Sequence, residues 1–260
     1  MMNYIATADT DIGTTKRTNQ DSVLIKHGSC DNGEIVLAVI CDGMGGLSKG
    51  ELASATVVRA FSRWFDEELP YELENIDMQL IGGKWALMLK DLNVKIRKYS
   101  YQTGLSMGTT FSGILLVDDK YVIAHVGDSR VYKISSGISQ LTTDHTFVAR
   151  EIKRGNMTPE QAKTDKRRNL LLQCVGASEA VNPDVFCGQV EEGAYVLCSD
   201  GFRHEITQIE MYDCLNPLNL TDKNVMHINA RYLIDTVKKR GEKDNISVLL
   251  ITANEGVRKI

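Results

Sequence analysis

Six short apolar runs along the chain have the character of β-strands. They are rich in β-branched or aromatic residues and are flanked by Gly, Asp or Asn, as strands that end in turns usually are. Runs 110–117 and 121–126 are separated by three polar residues and predict a hairpin. The other four runs are 34–40, 130–134, 194–199 and 246–253.

Three longer segments repeat their apolar residues at helical spacing and predict amphipathic helices near 50–68, 83–101 and 222–240. A short helix is expected at Thr158-Pro159-Glu160-Gln161, which supplies an N-cap, a proline in the first turn and a capping-box glutamine. Because the strands form antiparallel-looking groups with long helices between them, the order favours sheets in the middle and helices outside. It disfavours a doubly wound nucleotide-binding fold.

The composition is that of an ordinary folded protein. The chain has 260 residues, of which 43% are hydrophobic and 25% are charged, so it can bury a core without disulfides. A net charge of −4 gives no reason to expect nucleic acid or an anionic membrane as a partner. The cysteines form no CxxC pair, and neither a signal peptide nor a membrane span is recognisable. We therefore expect a cytoplasmic protein.

Acidic residues lie at the ends of several of these apolar runs. Each is followed by Gly, Ser or Asn, and taken singly each fits a turn or a cap. If the strands share a sheet core, however, several of these ends can meet at one edge. The five residues are Asp21, Asp42, Asp128, Asp200 and Asp244.

A cluster of these carboxylates would need a counter-charge, because like charges at short range oppose ionisation. An all-oxygen set of ligands suits Mg²⁺ or Mn²⁺, and the glycine after Asp42 would let a backbone carbonyl join the coordination. Two such cations about 3.5–4 Å apart would activate water for attack on a phosphoryl group. The residues therefore predict a two-metal site for phosphate-ester hydrolysis.

Eight short motifs follow one another within the stretch from residue 9 to about residue 252. They are DIG (11–13) with NQD (19–21), DGMGG (42–46), MGTT (107–110), GDSR (127–130), DHT (144–146), SDG (199–201) and DN (244–245). In this order the chain resembles the metal-dependent protein phosphatases of the protein phosphatase 2C type, in particular single-domain bacterial members. The resemblance implies one domain over residues 1–260. It also implies an α+β fold, a four-layer α-β-β-α sandwich with two central antiparallel sheets flanked by helices.

The resemblance also implies a role for most of the acidic residues. Asp42 would bridge two metal ions, and the Gly43 carbonyl would bind one of them. Asp200 and Asp244 would complete the pair, and Asp21 would act largely through bound water. Asp42, Asp200 and Asp244 are accordingly the expected catalytic residues, with two Mn²⁺ or Mg²⁺ per chain as cofactors.

Asp128, together with Asp200, matches the position of a third, weaker metal in bacterial-type relatives. The implied reaction is attack by a metal-bridged hydroxide on the phosphorus of phosphoserine or phosphothreonine. The implied substrates are phosphorylated proteins, which in turn imply an opposing Ser/Thr kinase. We expect a monomer that binds neither nucleic acid nor membrane.

The chain departs from the family pattern at the residue that grips the substrate phosphate. The family usually has an Arg five residues before the first motif's Asp, and that position here is Lys16, with Arg17 beside it. Lys is a point charge, whereas Arg is a planar fork, so the two are not equivalent. If this segment is a strand, neighbouring side chains point to opposite faces. We then expect Lys16 to bind the phosphate, with Arg17 as the alternative.

The group that protonates the leaving oxygen is left open. Met44 stands where animal relatives carry a His, so the proton would come from a metal-bound water or another group such as His204. A packed or surface role is the alternative for His204. For His145 we expect a hydrogen-bonding role in a turn, since the other groups of the site are all oxygens.

Residues 146–168, the basic segment, carry seven Lys or Arg against three acids. In the family this region forms a flap beside the active site, where a cationic surface would favour acidic phosphoprotein segments. An ordinary solvated helix pair is the alternative.

Two rival functions also stand: a phosphatase acting on a small regulatory phosphoprotein, and a silent pseudophosphatase. The latter predicts lost metal carboxylates, but all five are present.

Overall fold

Two antiparallel five-stranded sheets form the centre of the molecule. The computed structural model describes residues 1–31, 33–44 and 49–256. The first sheet has the order β1 (Met2–Asp11), β10 (Ile246–Glu255), β9 (Gly193–Cys198), β6 (Arg130–Ile134) and β7 (Ile138–Gln140). The second has the order β2 (Ser22–Cys30), β3 (Gly33–Cys41), β4 (Phe111–Val117), β5 (Lys120–Val126) and β8 (Asp184–Gln189).

Helices cover the outer faces of both sheets. Helix α3 has the clearest ends: the Asp77 side chain caps its first turn, and Gly104, with φ of 69°, ends it in the left-handed region. The helices are α1 (Gly50–Glu67), α2 (Leu69–Glu72), α3 (Met78–Thr103), α4 (Phe147–Lys153), α5 (Pro159–Thr164), α6 (Asp200–Arg203), α7 (Gln208–Leu215) and α8 (Lys223–Lys239).

Three layers of apolar side chains hold the sheets and helices together. In β3, Leu37 and Val39 pack toward α1 and α3, whereas Val36 and Ala38 pack into the layer between the two sheets. The third layer lies between the first sheet and helices α7 and α8. Because β3 is buried on both faces, its sequence is an almost continuous apolar run. The predicted four-layer α-β-β-α sandwich is confirmed.

The six predicted strands and four predicted helices are present, with ends that differ by a few residues. Helix α3 begins five residues before its predicted start, at Met78. The predicted hairpin is β4–β5, with Val117 paired to Lys120 and Asp118 in the left-handed region at φ of 47°. The capping box that begins α5 is also present. Strands β1, β2, β7 and β8 were not predicted, and Gly45 and Gly46 of the DGMGG motif lie outside the described residues.

Candidate active site

One edge of the sandwich gathers the strand ends that carry the predicted acids. In the second sheet Ser22 pairs with Cys41, so Asp21 just before β2 lies beside Asp42 just after β3. In the first sheet, β6 and β10 both pair with β9 at Cys198, two residues before Asp200. The same pairing brings the segments that contain Asp128 and Asp244 to this edge.

Asp42 lies at the centre of the acidic cluster. Burial, followed by the charges of Asp21, Asp200, Asp128 and Asp244, raises its pKa well above the usual carboxyl range. All four other predicted acids are therefore near enough to repel it. The structure brings together the five carboxylates that the sequence singled out.

Two further carboxylates of the cluster are disfavoured as anions. Burial and the nearby Asp200 raise the pKa of Asp21 to about 7, although a hydrogen bond from Ser247 Oγ (2.6 Å) acts in the opposite direction. Burial and Asp200 likewise raise the pKa of Asp128 to about 7, although the positive charge of Arg203 acts in the opposite direction. A cation at this edge would relieve both effects, since opposite charge favours the ionised form.

The unpaired oxygens of the cluster also fit a hard cation. Asp21 Oδ1 and Asp200 Oδ1 are buried and accept no hydrogen bond from any described residue. Buried carboxylate oxygens without partners are costly unless a cation compensates them. In the described part of the chain, no three His, Cys, Asp or Glu side chains are already arranged to ligate one cation by themselves. Backbone carbonyls and water would have to complete the coordination, as is usual for Mg²⁺ and similar ions.

Backbone and side-chain hydrogen bonds fix Asp42 at the end of β3. Its N–H donates to Thr110 Oγ1 (2.9 Å), and its carbonyl accepts from the Thr110 N–H (2.9 Å). The Thr110 hydroxyl lies 2.7 Å from Ser129 Oγ, next to Asp128. Thr110 therefore links the two loops that carry Asp42 and Asp128.

The asparagine of the DN motif joins the remaining two loops. Asn245 Oδ1 accepts from the Gln20 N–H (2.9 Å), and its Nδ2 donates to the Ile12 carbonyl (2.9 Å). These bonds hold the loop before β2 against the start of β10. Asp21 and Asp244, which flank these contacts in sequence, are positioned by them.

Two glycines allow close backbone approaches at the site. A Cβ on Gly43 would lie 2.5 Å from the Gln20 carbonyl oxygen, so no larger residue fits without displacing the backbone. Gly13 has φ of +79°, and a Cβ there would lie 2.1 Å from the Asp244 carbonyl oxygen. Both glycines keep the loops that carry the acids in contact.

Lys16 points into the cluster, whereas Arg17 does not. Lys16 Nζ lies 2.7 Å from Asp244 Oδ1. Burial would lower the pKa of Lys16, but the hydrogen bond and charge of Asp244 outweigh burial and raise it. Arg17 is exposed and makes no ion pair with any described residue. Residues 12–21 form turns and irregular loop, so the premise that this segment is a strand is wrong.

Arg203 is a site residue that the sequence did not reveal. Its Nη2 donates to the Asp128 carbonyl (3.1 Å) and lies 3.7 Å from Asp128 Oδ2. The neighbouring His204 lies between Asp200 Oδ2 (3.7 Å) and Glu242 Oε2 (3.4 Å). The only signal in the sequence was a cation closely following SDG, which is indistinguishable from a surface charge.

His145 has the predicted hydrogen-bonding role, but it lies in irregular loop and not in a turn. Its N–H donates to the Gly127 carbonyl (2.7 Å), and its Nδ1 accepts from the Gly127 N–H (3.1 Å).

The adjoining basic segment contains α4 and α5. Its two ends meet where the Arg167 guanidinium stacks 4.0 Å from the ring centroid of Phe147.

Comparisons with known proteins agree with this fold. The family model described as "Protein phosphatase 2C" matches residues 14–230. The chain is 31% identical over 251 residues to protein phosphatase PhpP of Streptococcus pneumoniae, covering 95% of this chain and 96% of PhpP. It is 30% identical over 242 residues to serine/threonine phosphatase stp of Listeria innocua, covering 88% of this chain and 92% of that protein.

Two solved structures extend the likeness. Serine/threonine phosphatase Stp1 from Staphylococcus aureus superposes with a TM-score of 0.82 at 30% identity, covering 96% of this chain and 95% of Stp1. The catalytic domain of the serine/threonine protein phosphatase PstP, in complex with two manganese ions, superposes with a TM-score of 0.76 at 25% identity. That likeness covers 98% of this chain and 100% of the PstP chain.

The fold and its acidic edge define a metal-dependent hydrolase of phosphate esters. The chain belongs to the protein phosphatase 2C family. The predicted family and the predicted protein serine/threonine phosphatase activity are confirmed. Within the described ranges, no helix is long and apolar enough to cross a membrane.

Proposed function

We propose that this chain removes phosphate from phosphoserine and phosphothreonine in proteins, using divalent cations held at the acidic edge. The observation that carries the proposal is the crowding of Asp42 by four other carboxylates. Such a cluster is stable as anions only with a counter-charge. Its all-oxygen composition points to Mn²⁺ or Mg²⁺, which are oxygen-binding cations.

Five residues would hold two cations in this proposal. Asp42 and the Gly43 carbonyl lie at the end of β3, Asp200 begins α6 just after β9, Asp244 lies just before β10, and Asp21 would act largely through water. When bound, the cations supply positive charge that lowers the pKa of water and stabilises the charge developing on the phosphoryl oxygens. The protein's own contribution is to hold these oxygens in fixed loops, so that little reorganisation is needed during the reaction.

Lys16 would bind the substrate phosphate. Its ammonium already reaches the acidic edge and pairs there with Asp244. If Asp244 held a cation, the Lys16 ammonium would no longer be needed to neutralise it and would be available to pair with a substrate phosphate. Arg17 is exposed and would need a change of the loop to reach the same point, which supports Lys16 as the phosphate-binding residue.

His204 is better suited to positioning Asp200 than to donating a proton. Its imidazole is held between the carboxylates of Asp200 and Glu242. Burial alone would lower the pKa of His204, but its hydrogen bond to Glu242 and the charge of Asp200 raise it above the usual value. A protonated ring with both nitrogens facing carboxylates holds these acids in place, and water is then the simpler proton source.

The basic segment would receive the phosphoprotein. It lies next to the loop that carries Asp128, because His145 binds Gly127 just before the segment begins. We propose that it forms a cationic flap of the single domain over residues 1–260. Phosphorylated, acidic protein segments are the partners that such a surface attracts, and a Ser/Thr kinase is the implied opposing enzyme.

Hydrolysis of matched phosphopeptides tests this function. Peptides that differ only in phosphothreonine, phosphoserine or phosphotyrosine would be assayed with Mn²⁺, with Mg²⁺ and with EDTA. We expect turnover of the first two peptides that requires the cation and is lost in EDTA. Equal turnover in EDTA, or hydrolysis of phosphotyrosine alone, would contradict the proposal.

A further inference from the structure

A positively charged side chain, that of Arg203, already lies beside Asp128, the acid that was expected to hold a third metal ion. The Arg203 guanidinium lies 3.7 Å from the Asp128 carboxylate and donates a 3.1 Å hydrogen bond to its backbone carbonyl. The side chains of Arg203 and Asp128 are 14% and 11% exposed, respectively. The pair is therefore shielded from solvent, and charges shielded in this way interact more strongly than charges at an open surface.

Arg203 is held in this position from its other side as well. Its Nη2 lies 3.7 Å from Asp144 Oδ2. Asp144 is fixed by two hydrogen bonds from Arg130, of 2.8 Å from Nε and 2.7 Å from Nη2. Such two-point contacts are among the strongest and most directional in proteins. Moving Arg203 away from Asp128 would therefore also break its interaction with an anchored acid.

A divalent cation bound by Asp128 and Asp200 would meet this guanidinium at close range. Arg203 follows Asp200 by three residues, one turn further along α6, so both candidate ligands have it as a neighbour. A guanidinium remains charged at any pH at which the protein folds. Asp128 therefore does not fit the role of a third-metal ligand, since like charges would lie side by side.

We propose that Arg203 serves as a built-in counter-charge for Asp128, so that this chain binds two divalent cations instead of three. Arg203 is a positioning residue in this account: it holds the Asp128 loop, which Thr110 in turn links to Asp42. The inference rests on the proposed two-cation site. It concerns only the number of divalent cations that the chain binds and the role of Arg203 in place of a third cation.

Counting bound Mn²⁺ tests the inference without an activity measurement. Free Mn²⁺ would be measured by electron paramagnetic resonance during titration of the wild-type chain, Arg203→Ala and Arg203→Lys. We expect two Mn²⁺ per chain for the wild type and for Arg203→Lys, which keeps the charge. Arg203→Ala should bind a third, weaker Mn²⁺, and adding Asp128→Asn to that variant should abolish it.

The outcomes separate this inference from the proposed function. Three Mn²⁺ bound to the wild-type chain, with one lost in Asp128→Asn, would overturn the inference and leave the two-cation site intact. A folded Arg203→Ala chain that binds only two would also overturn it. If the wild-type chain binds no Mn²⁺, both proposals fall together. If Arg203→Ala does not fold, the number of Mn²⁺ bound per wild-type chain decides between two cations and three.

Discussion

The Lys16 ammonium lies 2.7 Å from Asp244 Oδ1, at the edge where five acidic residues meet. The ion pair joins the loop before β2 to the start of β10. It shows that the Lys16 side chain is long enough to contact this acidic cluster. It also shows that the negative charge of Asp244 is partly neutralised by the protein itself. A cation that binds Asp244 would therefore compete with Lys16.

Removal of the Lys16 charge should weaken use of a phosphopeptide. Hydrogen bonds to charged groups contribute about 1.5–3 kcal/mol, which corresponds to a roughly tenfold to hundredfold loss of kcat/KM in Lys16→Ala. We expect the loss to appear mainly in KM for a phosphothreonine peptide. Arg17→Ala is the matched control, because it removes the neighbouring charge, which is exposed. An equal or larger effect of Arg17→Ala would reverse the assignment.

Asp21 should destabilise the metal-free protein and stabilise the metal-bound one. Its pKa is raised from 3.8 to about 7, so the folded state holds the proton more tightly than the unfolded chain does. Without metal, stability is therefore lost as the pH rises from 3.8 toward 7. At pH 7.5 in EDTA, Asp21→Asn should therefore need more urea to unfold, because its free energy of unfolding should be higher by on the order of a few kcal/mol.

The same substitution should reduce the stabilisation that Mn²⁺ provides, because a cation that binds only the folded state stabilises it by mass action. Asp119→Asn, in the exposed turn of the β4–β5 hairpin, should change neither quantity. If Asp21→Asn lowered stability in EDTA, Asp21 would be a structural acid and the repulsion argument would fail.

His125 should remain neutral until the solution is well below pH 6. It is fully buried, with Nδ1 2.9 Å from Ser112 Oγ and Nε2 3.1 Å from the Thr143 carbonyl. Burial and the nearby His145 lower the pKa of His125 from 6.5 to about 4. The unfolded chain therefore takes up the proton first as the pH falls. This residue's contribution, about 3 kcal/mol, is lost between pH 6.5 and about 4.

Because Asp21 and Asp128 act in the opposite direction over much of this range, the His125 imidazole should be followed directly by NMR titration. A midpoint for His125 near 4 is expected. A midpoint near 6.5 would show that the ring is accessible to water and would remove its pH-dependent contribution.

The parts of this structure that were predicted are those with a strong one-dimensional signal. Strand β3 is buried on both faces, so its apolar run is continuous and easily recognised. Strand β2 is only partly buried and contains Lys26 and His27, which gives no such run. The acids of the site were found because each ends or begins a strand, and antiparallel pairing then brings those ends together.

Two features of the site depend on three-dimensional detail that sequence patterns do not contain. The direction of Lys16 is set by a turn, so the alternation expected of a strand did not apply. Arg203 is drawn inward by Asp128 and Asp144, which lie 75 and 59 residues away in sequence. A lone cation after SDG carries no sign of such distant partners.

The most direct test of the central claim is the rate at which Asp42→Asn hydrolyses a phosphothreonine peptide in saturating Mn²⁺. Asp119→Asn would be assayed alongside it, and circular dichroism would verify that both variants are folded. The account predicts that Asp42→Asn loses at least about a thousandfold in kcat/KM, since cation charge at the reacting phosphate supplies several kcal/mol, while Asp119→Asn retains wild-type activity. A folded Asp42→Asn chain within about tenfold of the wild-type rate would contradict the claim that hydrolysis depends on cations held at this acidic edge.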